Sequence, residues 1–239
     1  SVNRLVLDSL VAGESIEEQT RILSADGDWL LATPGQVSIV QKQEELKSFA
    51  EEIGNLAMGQ KQESIPFEFA VGEYHLTGTI DNLYESGLLL TRIGTCRGCD
   101  VLGLYIHSLL LHLLPDLNQK AVLASYDHIF SLDGDVASKT GLTLERLLQY
   151  FVSGCQNPFP LFVEPAFELV VQKNKKSKRV QKRPEQKALD CLKNKMDNGY
   201  EPEWELLVRG IPVESVINEP FLNLTNEIMD PIWRLVNGY

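Results

Sequence analysis

Cysteine is scarce, with four in 239 residues, which is too few for a disulfide scaffold. No apolar run reaches the roughly 18–20 residues that a membrane-spanning helix needs. The most apolar stretch, Val101 to Leu114, falls short of that and carries His107 and His112. The first residues turn acidic after a brief apolar patch and lack the order of charged, apolar and small residues of a secretion signal. These absences lead to the expectation of a cytoplasmic protein with no membrane partner. No Gly-rich phosphate loop ending in Gly-Lys-Ser/Thr is present, so no nucleotide-driven motor is expected here. No internal repeat is visible either.

What is there is an ordinary globular composition. Hydrophobic residues make up 44% of the chain, enough to bury a sizeable core in one large or two small domains. The net charge is -11, and such a field repels nucleic acid and argues against a free-standing, non-specific DNA binder. The charge is unevenly placed, however. Residues Lys173 to Arg183 hold seven of the 22 basic residues and no acid, leaving 15 positive against 33 negative elsewhere. An acidic body with one basic loop fits a piece of a larger assembly.

The periodicities predict an α/β (α+β) protein with four stretches: a helical N-terminal segment 1–60, a core 61–172, the basic loop 173–183, and a segment 184–239 of helices and a strand completing the domain. In the first, Ser15 and Glu18 have capping-box spacing, Asp26-Gly27-Asp28 marks a turn, and Thr33-Pro34 suits a helix start. Val37, Val40, Leu46, Phe49, Ile53 and Leu56 then follow a helical stripe toward a stop at Gly59. Strands are predicted over Pro66–Val71, His75–Tyr84 and Leu88–Ile93, a three-stranded antiparallel meander with a tight turn at Gly87. A buried helix from about Asp100 to Leu114, stopped by Pro115, leads into a strand over Lys120–Tyr126, parallel to the third through the helix. Further helices are expected at Thr143–Val152 and Pro184–Met196, and a short element after the proline-interrupted run 157–171. A strand is expected at Glu203–Val208, and a closing helix at Asn218–Leu235, kinked or restarted at Pro231.

Meander, helix and further strand are also the order of PD-(D/E)xK nucleases. Their chemistry needs an acid on one strand, a second acid on the next, and a lysine two residues later to orient the attacking water. The first half is present as Gly78-Thr79-Ile80-Asp81, followed by Gly87. In the second half, aligning Gly94 with the motif's last glycine places Leu90 at the acid and Arg92 at the lysine. A leucine offers no oxygen to magnesium, and a guanidinium does not readily lose a proton. Asp81, Leu90 and Arg92 thus read as a vestigial motif with no metal site. An alternative keeps activity through a displaced ligand set drawn from Glu68, Glu73 and Asp81.

Several strings extend this likeness: LTGTIDNLYESGLLLTRIG, CDVLGLYIHSLLLHLL, FVSGCQNPFPLFVEPAF, and NGYEPEWELLVRG with a final helix near PIWRLV. In this order they resemble the C-terminal part of the gamma subunit (RecC) of exodeoxyribonuclease V, the RecBCD helicase-nuclease. The resemblance covers essentially the whole chain. It departs from the family at Gly94–Cys99, where a lysine-containing stretch is common, and at His107-Ser108. It implies a nuclease-like fold without nuclease activity and without a cofactor. It further implies a structural and DNA-guiding role in processing double-strand ends for recombinational repair. The implied partners are the beta (RecB) and alpha (RecD) subunits and the duplex or single-stranded DNA of the fork.

Two signals stay open. Cys96 and Cys99 form a CxxC that reads either as ordinary reduced thiols or, with Cys155, Cys191, His107 or His112, as a metal site. The five-residue spacing of the two histidines does not put them on one helix face. The basic loop, with Lys175, Lys176, Lys178, Arg179, Lys182 and Arg183, reads either as a solvated loop or as a phosphate-contacting edge. A module that binds only other proteins is the remaining possibility.

Overall fold

The computed structural model of the chain describes residues 2–13, 32–114, 116–175 and 183–238. The expected capping box at Ser15 and Glu18, the turn at 26–28 and Pro115 lie outside them. Strand β5 (Ala121–Ser125) is buried along its whole length, so the architecture follows from what covers its two faces. It runs parallel to β4 (Gly87–Arg92), with Leu88 beside Ala121, Leu90 beside Leu123 and Arg92 beside Ser125. The helix α3 (Gly98–His112) connects them, the crossover that the apolar run 101–114 leads one to expect. On the other edge of β5 lies the antiparallel β6 (Ile129–Leu132), and on the far edge of β4 lies the two-residue β3 (Leu83–Tyr84). Strand β6 was not predicted. It has only four residues, and just Phe130 and Leu132 face inward.

Alternation along the strands divides the interior into two apolar layers. Leu88, Ala121 and Leu123 point into the larger one with Val101, Leu104 and Tyr105 of α3 and with the C-terminal helices. Leu89, Val122 and Ala124 point the other way, onto α1 (Val2–Ala12) and α2 (Ala32–Gly54). Leu46, Phe49 and Ile53 of α2 are buried there, whereas Val37 and Val40 of the expected stripe are 53% and 43% exposed. The helix also ends at Gly54, ahead of the expected stop at Gly59.

The three-stranded meander is corrected. β1 (Ile65–Val71) and β2 (Tyr74–Ile80) form a separate two-stranded hairpin, and only β3 joins the main sheet. The predicted strand 75–84 breaks at Asp81-Asn82, because Asn82 adopts a left-handed backbone with φ 58°, which asparagine tolerates better than most residues. The Leu89 N–H donates to the Asn82 carbonyl at 3.0 Å, and Arg4 Nη2 donates to Asn82 Oδ1 at 3.4 Å.

Beyond the sheet come α4 (Val136–Thr140), α5 (Leu144–Gln156, with Thr143 accepting the Arg146 N–H), α6 (Val163–Asn174) and α7 (Pro184–Asp197). The run 157–171, expected as a connection into a short element, belongs mostly to a helix of 12 residues. Glu203–Val208 is not a strand but α8 (Pro202–Leu207). Pro202 suits a first helical turn, and Glu203 and Glu205 favour its positive end. The Val208 N–H donates to the Trp204 carbonyl at 3.0 Å, so the pattern that looked alternating is a four-residue repeat. The closing segment stays helical through α9 (Glu219–Leu224), a π turn (Thr225–Met229) and α10 (Asp230–Val236). The wider turn lies just before Pro231, whose missing N–H disturbs the regular ladder.

One glycine is required by position. Gly87 has φ +129°, and a Cβ there would lie 2.1 Å from the Lys120 carbonyl oxygen. We expect Gly87→Ala to lower unfolding stability by about 2–3 kcal/mol, measurable by urea denaturation with an unchanged m-value.

Candidate functional site

The parallel strands β4 and β5 end side by side, and loops and helix ends surround that edge. In open α/β sheets ligands gather in the crevice outside the carboxyl ends of such strands. Along β4, Leu88, Leu90 and Arg92 share one face. Leu90 packs against the larger apolar layer. Arg92 sits at the rim, its Nε 3.7 Å from Asp100 Oδ2 and without a hydrogen-bond partner among the described residues. Asp81 is exposed in the break between β2 and β3. The three residues of the vestigial motif therefore occupy three different settings: solvent, core and ion pair.

The displaced ligand set is not assembled either. Glu73 and Asp81 flank opposite ends of the seven-residue β2, which puts their backbones roughly 25 Å apart at the usual rise per residue. Glu68 faces His75 instead, with Oε1 3.2 Å from its Nε2. Among the described residues no group of three or more His, Cys, Asp or Glu is placed to hold a metal ion.

Gly98 and Cys99 at the start of α3 donate their N–H groups to Glu164 Oε2 and Oε1, each at 3.0 Å. The Arg97 N–H donates to Asp100 Oδ2 at 3.0 Å. A helix N-terminus is a ready anion site, and here the protein's own carboxylates fill it. Gly98 is what lets α6 approach so closely, since a Cβ there would lie 2.6 Å from Phe167 Cβ. The same carboxylates govern the CxxC. Burial first, then Asp100, Asp127 and Glu164, push the Cys96 thiol up to about 12. Burial and then Glu164 and Asp100 push Cys99 up to about 11. Thiolate is the metal-binding and nucleophilic form, so near neutral pH both sulfurs stay protonated. All four cysteines are free. His107 Nδ1 lies 2.8 Å from the Gly103 carbonyl within the helix, and His112 Nδ1 lies 3.3 Å from Gln119 Oε1 in the loop after it.

After β5 the chain turns through Asp127 and His128, two residues that sequence reasoning passed over. Asp127 Oδ1 accepts from the Cys96 N–H at 2.8 Å and from the Ser125 hydroxyl at 3.0 Å, and Oδ2 lies 3.1 Å from His128 Nδ1. Burial pulls this carboxyl upward, but the Cys96 N–H, Ser125 and His128 outweigh it and hold it below the usual range. Beside this turn is a cavity of about 380 Å³ lined by Cys96, Asp127, His128, Phe167, Lys175 and Trp233, among others. Phe167 meets Trp233 edge-on at 5.3 Å, and His128 stacks on Phe130 at 5.1 Å. The signals available in the sequence were weak: an acid–histidine pair just after a strand, and a lone acid in the apolar run before Pro165.

Of the basic residues singled out, Lys175 follows α6 and Arg183 precedes α7. Lys176, Lys178, Arg179 and Lys182 lie outside the described residues.

A family model described as the RecC C-terminal domain matches residues 1–174. The chain belongs to the RecC C-terminal domain family. A curated relative, the RecBCD enzyme subunit RecC of Buchnera aphidicola subsp. Schizaphis graminum (strain Sg), is 19% identical over 161 residues. That match covers 67% of this chain and 15% of the relative, so the chain corresponds to a small part of that protein. The residues matched to the RecC C-terminal domain include Asp81, Leu90, Arg92 and both CxxC cysteines, while Trp233 and α7 to α10 lie beyond them.

Replacing Glu164 by Gln removes the charge but keeps the shape. We expect the pH at which Cys99 becomes reactive to iodoacetamide to fall from about 11. Its alkylation at pH 8, followed by peptide mass spectrometry, should accelerate about tenfold for each pH unit of that fall.

Proposed function

We propose that this chain is a non-catalytic, structural and DNA-guiding domain of the gamma subunit of a helicase-nuclease. That enzyme would process double-strand DNA ends for recombinational repair, and the domain would contact the beta (RecB) and alpha (RecD) subunits and the DNA fork. Membership of the RecC C-terminal domain family supports the setting, and the relative's name assigns that protein to the RecBCD enzyme. The single observation that carries the non-catalytic reading is Leu90. By the alignment of Gly94 it stands at the slot of the second metal-binding acid, and its partly buried side chain packs against the apolar core, where a charged replacement would be costly to bury. The mixed sheet flanked by helices, with a crossover helix between its parallel strands, supports a nuclease-like fold of the PD-(D/E)xK kind, while the expected meander is split between a separate hairpin and the main sheet. Separated strands need a surface to follow, and the run from Lys173 to Arg183 is the one strongly basic segment of an acidic chain.

Two experiments test this. Incubated with linear duplex or single-stranded DNA and magnesium or manganese, the chain should release no nucleotides, and calorimetry should find no tight divalent ion. Cation-dependent cleavage that disappears in Asp81→Ala would establish the active-nuclease alternative. In the reconstituted complex, deleting residues 173–183 should weaken DNA binding and flatten its dependence on salt, by a slope of about 0.7–0.9 for each phosphate no longer neutralised. An unchanged slope would reduce the domain to a protein-binding module.

A further inference from the structure

Helix α8 is fastened to the body by one side only. Trp204 meets Phe162 edge-on at 5.2 Å and packs against the larger apolar layer, and Val208, just past the helix, is buried. Leu206 stands two residues on from Trp204 and so points the other way. Leu206, Leu207 and Ile211 are 72%, 48% and 52% exposed. The Arg209 N–H donates to the Leu206 carbonyl at 3.4 Å and the Ile211 N–H to the Val208 carbonyl at 3.0 Å, so the chain turns tightly here and keeps the three side chains in one small region. Single exposed apolar residues are ordinary on a protein surface. Three between positions 206 and 211, two of them adjacent leucines, mark a contact surface. The charges beside it are mostly of one sign. Glu203 and Glu205 are exposed and Glu201 is half-buried. None of these three forms an ion pair among the described residues. Glu214, by contrast, is already taken by Lys193 at 2.6 Å. Arg209 is the one base between Glu201 and Glu214.

Charge decides what can cover this surface. Carboxylates at its edge repel a phosphate backbone, so DNA does not fit. A second copy of the chain, meeting it across a two-fold axis, would set the same carboxylates against one another. What is complementary is a protein segment with apolar side chains at its centre and cations at its edge, the usual division of an interface into core and rim. We propose that Leu206, Leu207 and Ile211 dock a segment of another subunit of the helicase-nuclease, apolar at its centre and flanked by lysine or arginine, with those cations against Glu203 and Glu205. The inference rests on the domain's place in that complex and adds where, and by what chemistry, the domain is held there. The apolar contact supplies the affinity, and the carboxylates steer the approach and fix its orientation. A surface of this sign also keeps DNA off this side of the domain.

The test uses the gamma subunit that contains this chain, reconstituted with the beta and alpha subunits on forked DNA. With a photoreactive benzophenone side chain in place of Leu206, illumination should join position 206 to the beta or the alpha subunit, as read by peptide mass spectrometry. Leu206→Asp should weaken assembly about tenfold or more, whereas Leu206→Met should leave it unchanged. Glu203→Lys combined with Glu205→Lys should weaken assembly at low salt, and the loss should shrink as salt rises. These side chains are exposed, so the urea midpoint should hold in every variant. A photoproduct with DNA, with a second gamma subunit or only within the gamma subunit itself overturns the inference, and so does parental assembly by Leu206→Asp. In each of those outcomes the domain keeps its place in the complex. If the parent gamma subunit assembles with neither partner, that place is lost as well.

Discussion

The N-terminus of α3 is held by the two oxygens of one buried carboxylate, and much of the molecule is arranged around that contact. Glu164 is only 9% exposed, and each of its oxygens receives a backbone N–H from Gly98 or Cys99. A buried charge is tolerable when its lone pairs are occupied, and a helix start supplies unpaired donors together with a positive dipole. The contact links α6 to the crossover helix of the parallel pair and leaves room for no side chain at position 98. It also leaves no donors at that helix start for a phosphate. The neighbouring thiols inherit the consequence: a CxxC at a helix start would ordinarily be acidic, and here it is the reverse.

The sheet separates two kinds of covering. One face of β4 and β5 lies under the N-terminal helices, the other under α3 and the C-terminal helices. Leu90 belongs to the second face, where it packs against the larger apolar layer. The register of its strand with β5 is maintained by packing and backbone geometry, and an apolar side chain at that position adds to the core.

Much of the fold was legible because burial leaves periodicity behind. The run 101–114, opened after Asp100 and stopped at Pro115, is long enough to read as a covered helix, and the short apolar run of β5 that follows it reads as a covered strand. What could not be read depends on single backbone angles or on partners far away in sequence. Asn82 breaks a strand by one left-handed residue, and no periodicity records that. Trp204 and Val208 face the same way at a separation compatible with either reading until Pro202 is weighed as a helix start. At the site, spacing alone placed Leu90 on the inner face of its strand. The role of Glu164 was not, since its partners lie 65 and 66 residues earlier. The aromatic wall draws on β6, α6 and α10 together, and only the folded chain brings these into contact.

The π turn at Thr225–Met229 fixes the angular phase of everything after it. A regular α-helix advances about 100° per residue, and a widened turn takes up one residue more before the spiral resumes. Wound without that surplus residue, α10 would present a different side to the sheet, with Trp233 and Asn237 swung around the axis and away from His128. The outline of a hollow at the far end of β5 is therefore written partly in the winding of a helix that touches neither strand order nor sequence motif.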